Sequence, residues 1–287
     1  MKKHKLINLI ALLILIAGIS FVLYPTFSDW WNSMHQSKAI ATYIERSRDV
    51  SLEKKNESIE AAREYNKTLL EKNGNRFVLS EEERARYESI LDITGTGIMG
   101  VVEIPVINIK LPIYHGTDLA VLQIGIGHMP GTSMPVGGPG THSVIAGHTG
   151  MPSVKLFTDI RDLKNGDVFR IKVFDKIFTY KVDAISTVLP TETDGIAIEN
   201  DKDYVTLQTC TPYGSNTHRL LVRGRRVKDL AGDVGLHSDV KEYHHIIFSG
   251  IILGFIAIII LIIKLLTKAT GRLIYPALTK GGSLEEH

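Results

Sequence analysis

DYVTLQTCTPYGSNTHRLLVRGRRV, running from Asp203 to Val227, is the stretch that decides how this chain is read. In its first half Tyr204, Thr206 and Gln208 alternate with Val205, Leu207 and Thr209, the period-two pattern of a strand whose two faces meet different surroundings. The pattern stops at Cys210, with Thr211-Pro212 directly after it. A turn through Tyr213-Gly214-Ser215-Asn216 would fold a second strand back beside the first, and adjacent antiparallel strands would bring Arg219 close to the Cys210 thiol. A strand end holds a side chain on a rigid element beside open space, a placement suited to catalysis.

Further short β-rich runs precede this pair: GVVEIPVI from Gly100, LPIYHG from Leu111, HSVIAGH from His142, VFRIKVF from Val168 and IFTYKVDAISTVL from Ile177. Turn-forming clusters such as PVGGPG and KNGD separate them, and the spacing predicts a mainly β domain, a closed barrel or sandwich, over residues 98–228. There is room for one helix near VKLFTDIRDL, from Val154. Residues 25–97 are polar and helix-forming, and Ile59, Ala62, Tyr65 and Leu69 recur at helical spacing. One or two amphipathic helices are expected there, as a spacer or as packing, with no chemistry of their own.

The two ends call for a different solvent. LINLIALLILIAGISFVL, from Leu6 to Leu23, has eighteen residues without a charge, which as a helix span about 27 Å, close to a bilayer core. Tyr24, Pro25, Trp30 and Trp31 follow it, without a small-residue cleavage site close behind, so a retained anchor is expected in preference to a signal peptide. IIFSGIILGFIAIIILIIKLL, from Ile246 to Leu266, is read as a second span, with Lys264 near one end. Basic residues outside both runs (Lys2, Lys3 and Lys5; Lys264, Lys268, Arg272 and Lys280) predict cytoplasmic termini and an extracellular middle. The expected order is a cytoplasmic 1–5, a span over 6–24, helices over 25–97, the barrel over 98–228, a linker over 229–245, a span over 246–266 and a cytoplasmic tail over 267–287. That is a multi-pass protein of the cell membrane with the lipid bilayer as a partner. A net charge of +2 and the lack of a basic patch interleaved with aromatics argue against nucleic acid.

Cys210 is the single cysteine, so an exported domain cannot use it for an internal disulfide. A free thiol is only slightly ionised at neutral pH, and a useful nucleophile needs a base or a positive charge beside it. His148 in Ala146-Gly147-His148-Thr149-Gly150 is one candidate, at the end of a strand and between glycines that leave room for a peptide backbone. Arg219 is another, a planar fork of donors suited to a developing oxyanion. Spacing alone leaves His115, His128, His142 and His218 as rival bases and Arg223, Arg225 and Arg226 as rival cations. One cysteine and scattered histidines lack the paired ligand spacing of a zinc site, and neither a metal nor an organic cofactor is expected.

TLQTCTPYGSNTHRLLVRGRR from Thr206, HSVIAGHTG from His142 and GVVEIPVINIKLPIYHG from Gly100 together resemble the sortase family, in the family's order, over residues 98–228. The long segment after Cys210, with a second apolar run behind it, is most similar to class C, pilin-polymerising sortases of Gram-positive bacteria. The resemblance implies an eight-stranded sortase-type β-barrel with N-terminal helices, flanked by the two spans. It implies Cys210 as nucleophile, His148 as acid and base, and Arg219 as electrostatic stabiliser. The implied activity is a cysteine transpeptidase that cleaves a Leu-Pro-x-Thr-Gly-type sorting signal between Thr and Gly through a thioacyl intermediate. Transfer to a lysine amine would then polymerise pilin subunits. Partners would be pilin or surface proteins bearing that signal; cell-wall attachment by a housekeeping sortase and simple hydrolysis by a cysteine peptidase are the alternatives. Thr209 and Thr211 beside the cysteine, and Gly147 and Thr149 beside the histidine, are the candidate groove positions.

One departure stands out. Class C sortases usually carry an Asp-Pro-aromatic lid, and GNRFVLSEEERARYESILDITG, from Gly74, contains no Asp-Pro. Phe77 is the candidate plug if a lid exists. Without the usual anchor pair the closed state is expected to be weakly held, so that deleting residues 73–92 would change the labelling of Cys210 little.

Overall fold

A computed structural model describes residues 2–71, 75–151 and 154–229, with residues 250, 253 and 254 beyond them. The chain divides into two compact units, residues 1–22 with 239–287, and residues 23–238.

In the first unit the apolar run lies in the N-terminal part of helix α1 (Lys2–Asp49), and Leu6, Ile7, Leu9, Leu13 and Ile14 all expose their side chains. Exposure on every side fits lipid as the solvent. Two expectations need correction here: the pair of membrane spans and the multi-pass topology. Among the described residues one helix is long and apolar enough to cross a membrane, and it is this one. The run over 246–266 lies outside the described residues except for 250, 253 and 254.

The second unit is a barrel. Its strands are β1 (Ile98–Ile104), β2 (Ile109–His115), β3 (Ile126–His128), β4 (Thr141–Ala146), β5 (Val168–Val173), β6 (Lys176–Val188), β7 (Asp203–Thr211) and β8 (His218–Arg226). They close in the order β1-β2-β3-β4-β7-β8-β6-β5, with β5 returning to β1, which removes both sheet edges. The pairs β2–β3 and β4–β7 are parallel, and the others antiparallel. β3 carries no alternating pattern in the sequence because it is only three residues long. At its centre, a Cβ on Gly127 would lie 1.9 Å from the Gly116 carbonyl oxygen, so only glycine lets β2 and β3 meet. The helix expected near Val154 is a short 3-10 turn, Thr158–Asp162.

Phe169, Tyr180, Ile145, Val205, Leu207 and Val222 fill the barrel. The N-terminal helices complete that core. Ile59, Ala62, Tyr65 and Leu69 of α2 (Leu52–Glu71) are all buried, and they join Ile40, Tyr43 and Ile44 of α1 in the same cluster. Of the two roles expected for this region, spacer and packing, packing is the one seen. Helix α3 (Glu81–Ser89) starts with a capping box between Ser80 and Glu83, and α4 (Leu119–Ile124) is a short turn before β3.

Tyr87 fixes α3 to the barrel. It is 1% exposed, and its hydroxyl lies 2.9 Å from the His128 carbonyl oxygen, 3.0 Å from His128 Nδ1 and 2.9 Å from the Gly116 N–H that it accepts. His128 Nε2 faces the Ser133 carbonyl at 2.8 Å, so it carries the ring proton and leaves Nδ1 as an acceptor. Tyr87→Phe keeps the ring and strands the buried Gly116 N–H, a loss of about 1–3 kcal/mol. The expected result is a thermal midpoint lower by several degrees, at roughly 2–4 °C per kcal/mol, measured by calorimetry on the full chain.

Candidate active site

Strands β4, β7 and β8 lie side by side, and one face of this three-stranded segment carries the candidate residues Cys210 and Arg219. The register sets Val144 against Thr206, Ala146 against Gln208, Gln208 against Leu221 and Cys210 against Arg219. Directly opposed residues point to the same side of a sheet, and the side chains along each strand alternate. His142, Val144 and Ala146 therefore share an outer face with Tyr204, Thr206, Gln208 and Cys210, and with Arg219, Leu221 and Arg223. Their sequence neighbours Ile145, Val205, Leu207 and Val222 point into the barrel core.

Because β4 and β7 are parallel, both end at the same rim. Past Ala146 the alignment continues: the Gly147 N–H donates to the Gln208 carbonyl at 3.0 Å, and the Thr209 hydroxyl donates to the Gly147 carbonyl at 2.7 Å. The Phe157 N–H holds the His148 carbonyl at 3.1 Å. His148 follows two residues after Ala146, as Cys210 follows two residues after Gln208, the register partner of Ala146. Cys210 is a half-buried free thiol. Arg219 Nη1 donates to the carbonyls of Asn216 at 3.2 Å and His218 at 3.1 Å, which folds the guanidinium onto the β7–β8 turn. Among the described residues none of the three side chains is hydrogen-bonded to another; such contacts commonly tighten when substrate binds.

The rival groups are engaged elsewhere. His128 and His142 are buried, and burial pushes the pKa of each down to about 4. His115 faces the Ile90 carbonyl at 2.6 Å. His218 sits opposite Thr211, one residue past the Cys210 pair and so on the other face. Arg223 forms a two-pronged pair with Asp183, at 3.0 and 3.2 Å, and Arg226 pairs with Asp229 at 2.8 Å. Arg225 is exposed opposite Tyr204, at the far end of the strand pair. The glycines around His148 make room for the protein's own rings: a Cβ on Gly147 would lie 2.9 Å from Phe157, and one on Gly150 2.7 Å from Tyr213.

A cleft of about 630 Å³ runs over the middle of this face. Apolar walls come from Phe77, Met129, Pro130, Ile196 and Leu221, and a further side from the end of β6 and the chain after it, Val188 to Thr193. Arg84 and Asp118 add charge, and Gln208 and Arg219 line the cleft as the strand neighbour of Thr209 and the cross-strand partner of Cys210. Cys210 and His148 stand at the strand ends outside this lining, as do Thr209, Thr211, Gly147 and Thr149. Gln208 and Leu221 were findable from the period-two pattern around Cys210 and Arg219. Met129, Ile196, Arg84 and Asp118 had no local signal.

A family model described as a sortase domain matches residues 102–227. Sortase C1 from Streptococcus agalactiae, a solved structure, is 47% identical, covers 67% of this chain and all of its own, and superposes with a TM-score of 0.65. The chain belongs to the sortase family. Among further sortase structures, sortase C of Clostridium perfringens, solved with the C-terminal cell wall sorting motif, is 44% identical over 67% of this chain and 99% of its own, with a TM-score of 0.59. Most of the sortases it resembles in structure are class C enzymes. Sortase D of Bacillus subtilis is 31% identical over 45% of this chain; the chain spans about 60% of the length of the curated relatives it matches.

In this sortase the missing Asp-Pro does not leave the segment before α3 untethered. Phe77 packs with Met129 and Val188 against Val144, Ile196 and Leu221. Arg76 Nη2 donates to the Ile196 carbonyl at 2.7 Å, and its guanidinium sits 4.9 Å from the centre of the Phe77 ring. Gly131 has a φ of +80°, and a Cβ there would lie 2.3 Å from the Arg76 carbonyl oxygen, so the two backbones lie flush. These contacts differ from the weakly held segment expected from sequence. Deleting residues 73–92 would also remove Tyr87 from the core, so substitution is the cleaner way to test the segment.

Proposed function

We propose that this sortase is a cysteine transpeptidase, tethered at a membrane by its N-terminal helix, that acts on a Leu-Pro-x-Thr-Gly-type sorting signal and joins it to a pilin lysine. The observation that carries the reading is the direct pairing of Cys210 with Arg219 on β7 and β8, with His148 two residues beyond the end of the neighbouring strand β4. The apolar cleft suits the Leu-Pro end of the signal and delivers the Thr carbonyl to the rim. Likeness to a sortase C solved with a sorting motif supports this substrate class, and likeness to sortase C1 of a pilus island, 35% identical, supports the pilin partner.

In the proposed cycle, the Cys210 thiolate attacks the Thr carbonyl carbon while Arg219 donates to the oxygen that gains charge. The Thr–Gly C–N bond breaks as protonated His148 gives its proton to the leaving Gly amine. An incoming lysine amine then loses a proton to His148 and attacks the thioester. An isopeptide bond forms, and Cys210 leaves as the thiolate beside a reprotonated His148. No redox step or cofactor enters the balance. Incubating the full chain in detergent with a sorting-signal peptide, with and without a lysine-bearing acceptor, tests this. The expected results are a mass adduct on Cys210 and an acceptor-dependent conjugate; release of free acid alone would favour a hydrolytic peptidase.

Phe77 takes the role of plug in this reading, because a peptide entering the cleft has to displace it. Phe77→Ala should raise kcat/KM for the peptide about tenfold, which corresponds to about 1.4 kcal/mol of closure. Labelling of Cys210 by a small thiol reagent should change less, since the thiol stands outside the cleft lining. An unchanged kcat/KM would mean that the ring is a fixed part of the wall.

A further inference from the structure

We propose that His142 is a positioning residue for the peptide cleft: its Nδ1–H holds the Ala197 carbonyl and so fixes the β6–β7 loop as one cleft wall. The loop gives residues 189–193 and Ile196 to the lining. Its internal hydrogen bonds are short-range, Glu192 N–H to Leu189, Ile196 to Thr193, Ala197 to Asp194 and Lys202 to Glu199; they shape turns without attaching the loop to the barrel. Past the lining residues, Ile198 packs on the barrel core and the Thr141 N–H donates to the Lys202 carbonyl at 3.1 Å; the lining part is attached by other contacts. Arg76 reaches the Ile196 carbonyl, but it neighbours Phe77, the ring that the proposed function has a peptide displace. Arg223 approaches Glu199 only to 3.9 Å, with the carboxylate side chain half exposed, a geometry that contributes little. Ile196 packs on Val144 and Leu221. His142, on β4 and 1% exposed, reaches the Ala197 carbonyl at 2.7 Å and does not depend on the plug.

The hydrogen-bond partners assign the ring. A carbonyl oxygen can only accept, so Nδ1 carries the proton. Nε2 is then the acceptor for the Thr206 hydroxyl at 2.7 Å. Tyr204 lies against the ring at 5.4 Å between centroids, and the Arg223 guanidinium lies over the Tyr204 ring, 4.2 Å from its centre. Burial keeps the imidazole neutral, and the nearby Arg223 and Arg76 cations add to that effect. His142 stands six residues before His148, at most roughly 20 Å along an extended backbone. It acts through the loop and touches no reacting atom.

The kinetic part of this inference rests on the sortase reading; the structural part does not. Nitrogen-15 NMR of the full chain in micelles should show His142 as the neutral Nδ1–H tautomer at neutral pH, and an Nε2–H ring would overturn the clamp. Asparagine can place its amide nitrogen near Nδ1, whereas glutamine places one near Nε2. His142→Gln should raise KM for a sorting-signal peptide about tenfold with kcat within twofold, and speed amide exchange over residues 194–200 by a similar factor. His142→Asn should stay within threefold on both measures. Equal behaviour of the two variants, or unmoved exchange in His142→Gln, would overturn the proposal. A wild-type chain without transpeptidation would sink the sortase reading alone, because tautomer and exchange still decide the clamp. Should His142→Gln fail to fold, the wild-type tautomer and His142→Asn decide it.

Discussion

Replacing Cys210 with alanine should abolish acyl transfer and leave the barrel folded. The loss expected is at least on the order of 10⁴-fold, as for other enzymes deprived of their nucleophile, because no second thiol exists in the chain to take over. The fold should tolerate the change. The thiol is half-buried at a strand end, outside the cleft lining, and the strand is held by backbone pairing on both sides. A sulfur in that position contributes little packing. Rates come from peptide and acceptor assays on the full chain, and folding from its thermal midpoint, which should move by no more than a few degrees. Turnover close to wild type would end the assignment of Cys210 as the nucleophile.

Arg219→Lys should cost about 10²–10³-fold although the charge is kept. That is the range found when one donor to a developing oxyanion is removed. Arg219 spends one nitrogen on the Asn216 and His218 carbonyls, which braces the fork on the turn and leaves its other N–H groups for a substrate carbonyl. An ammonium is a single point of charge and cannot brace itself on the turn and reach the substrate together. Arg223 and Arg226 are committed to Asp183 and Asp229, so neither replaces it. If the donor acts only on the charge that develops during reaction, kcat and kcat/KM should fall together. A near-normal rate would show that charge alone matters at this position.

The strands themselves are readable because each is a local pattern. DYVTLQTC begins where β7 begins, HRLLVRGRRV begins where β8 begins, and the helical spacing of Ile59, Ala62, Tyr65 and Leu69 by itself marks the buried face of α2. The turn between β7 and β8 makes the pairing of Cys210 with Arg219 equally local. What lies beyond reach is non-local. Nothing near His148 says that β4 runs parallel to β7, and that pairing alone puts the histidine at the cysteine's rim. The cleft is built from segments as far apart as Phe77, Met129 and Ile196, whose side chains meet only after the barrel closes. The three-residue β3 is illegible for another reason: glycine serves a close backbone approach there and carries no pattern. Likewise Arg76 reads as an ordinary polar residue because its partner, a backbone carbonyl, has no sequence signature.

The parallel β4–β7 pair has a consequence for how the molecule comes into being. Thr141 and Asp203, opposite each other at its start, are 62 residues apart, and a contact of that separation forms late because the intervening chain must first be ordered. A nascent or half-folded chain therefore carries Cys210 apart from the strand that leads to His148. Under the roles proposed for the two residues, reactivity toward peptide carbonyls would arrive together with barrel closure, and the chain would stay unreactive toward its surroundings until it has finished folding.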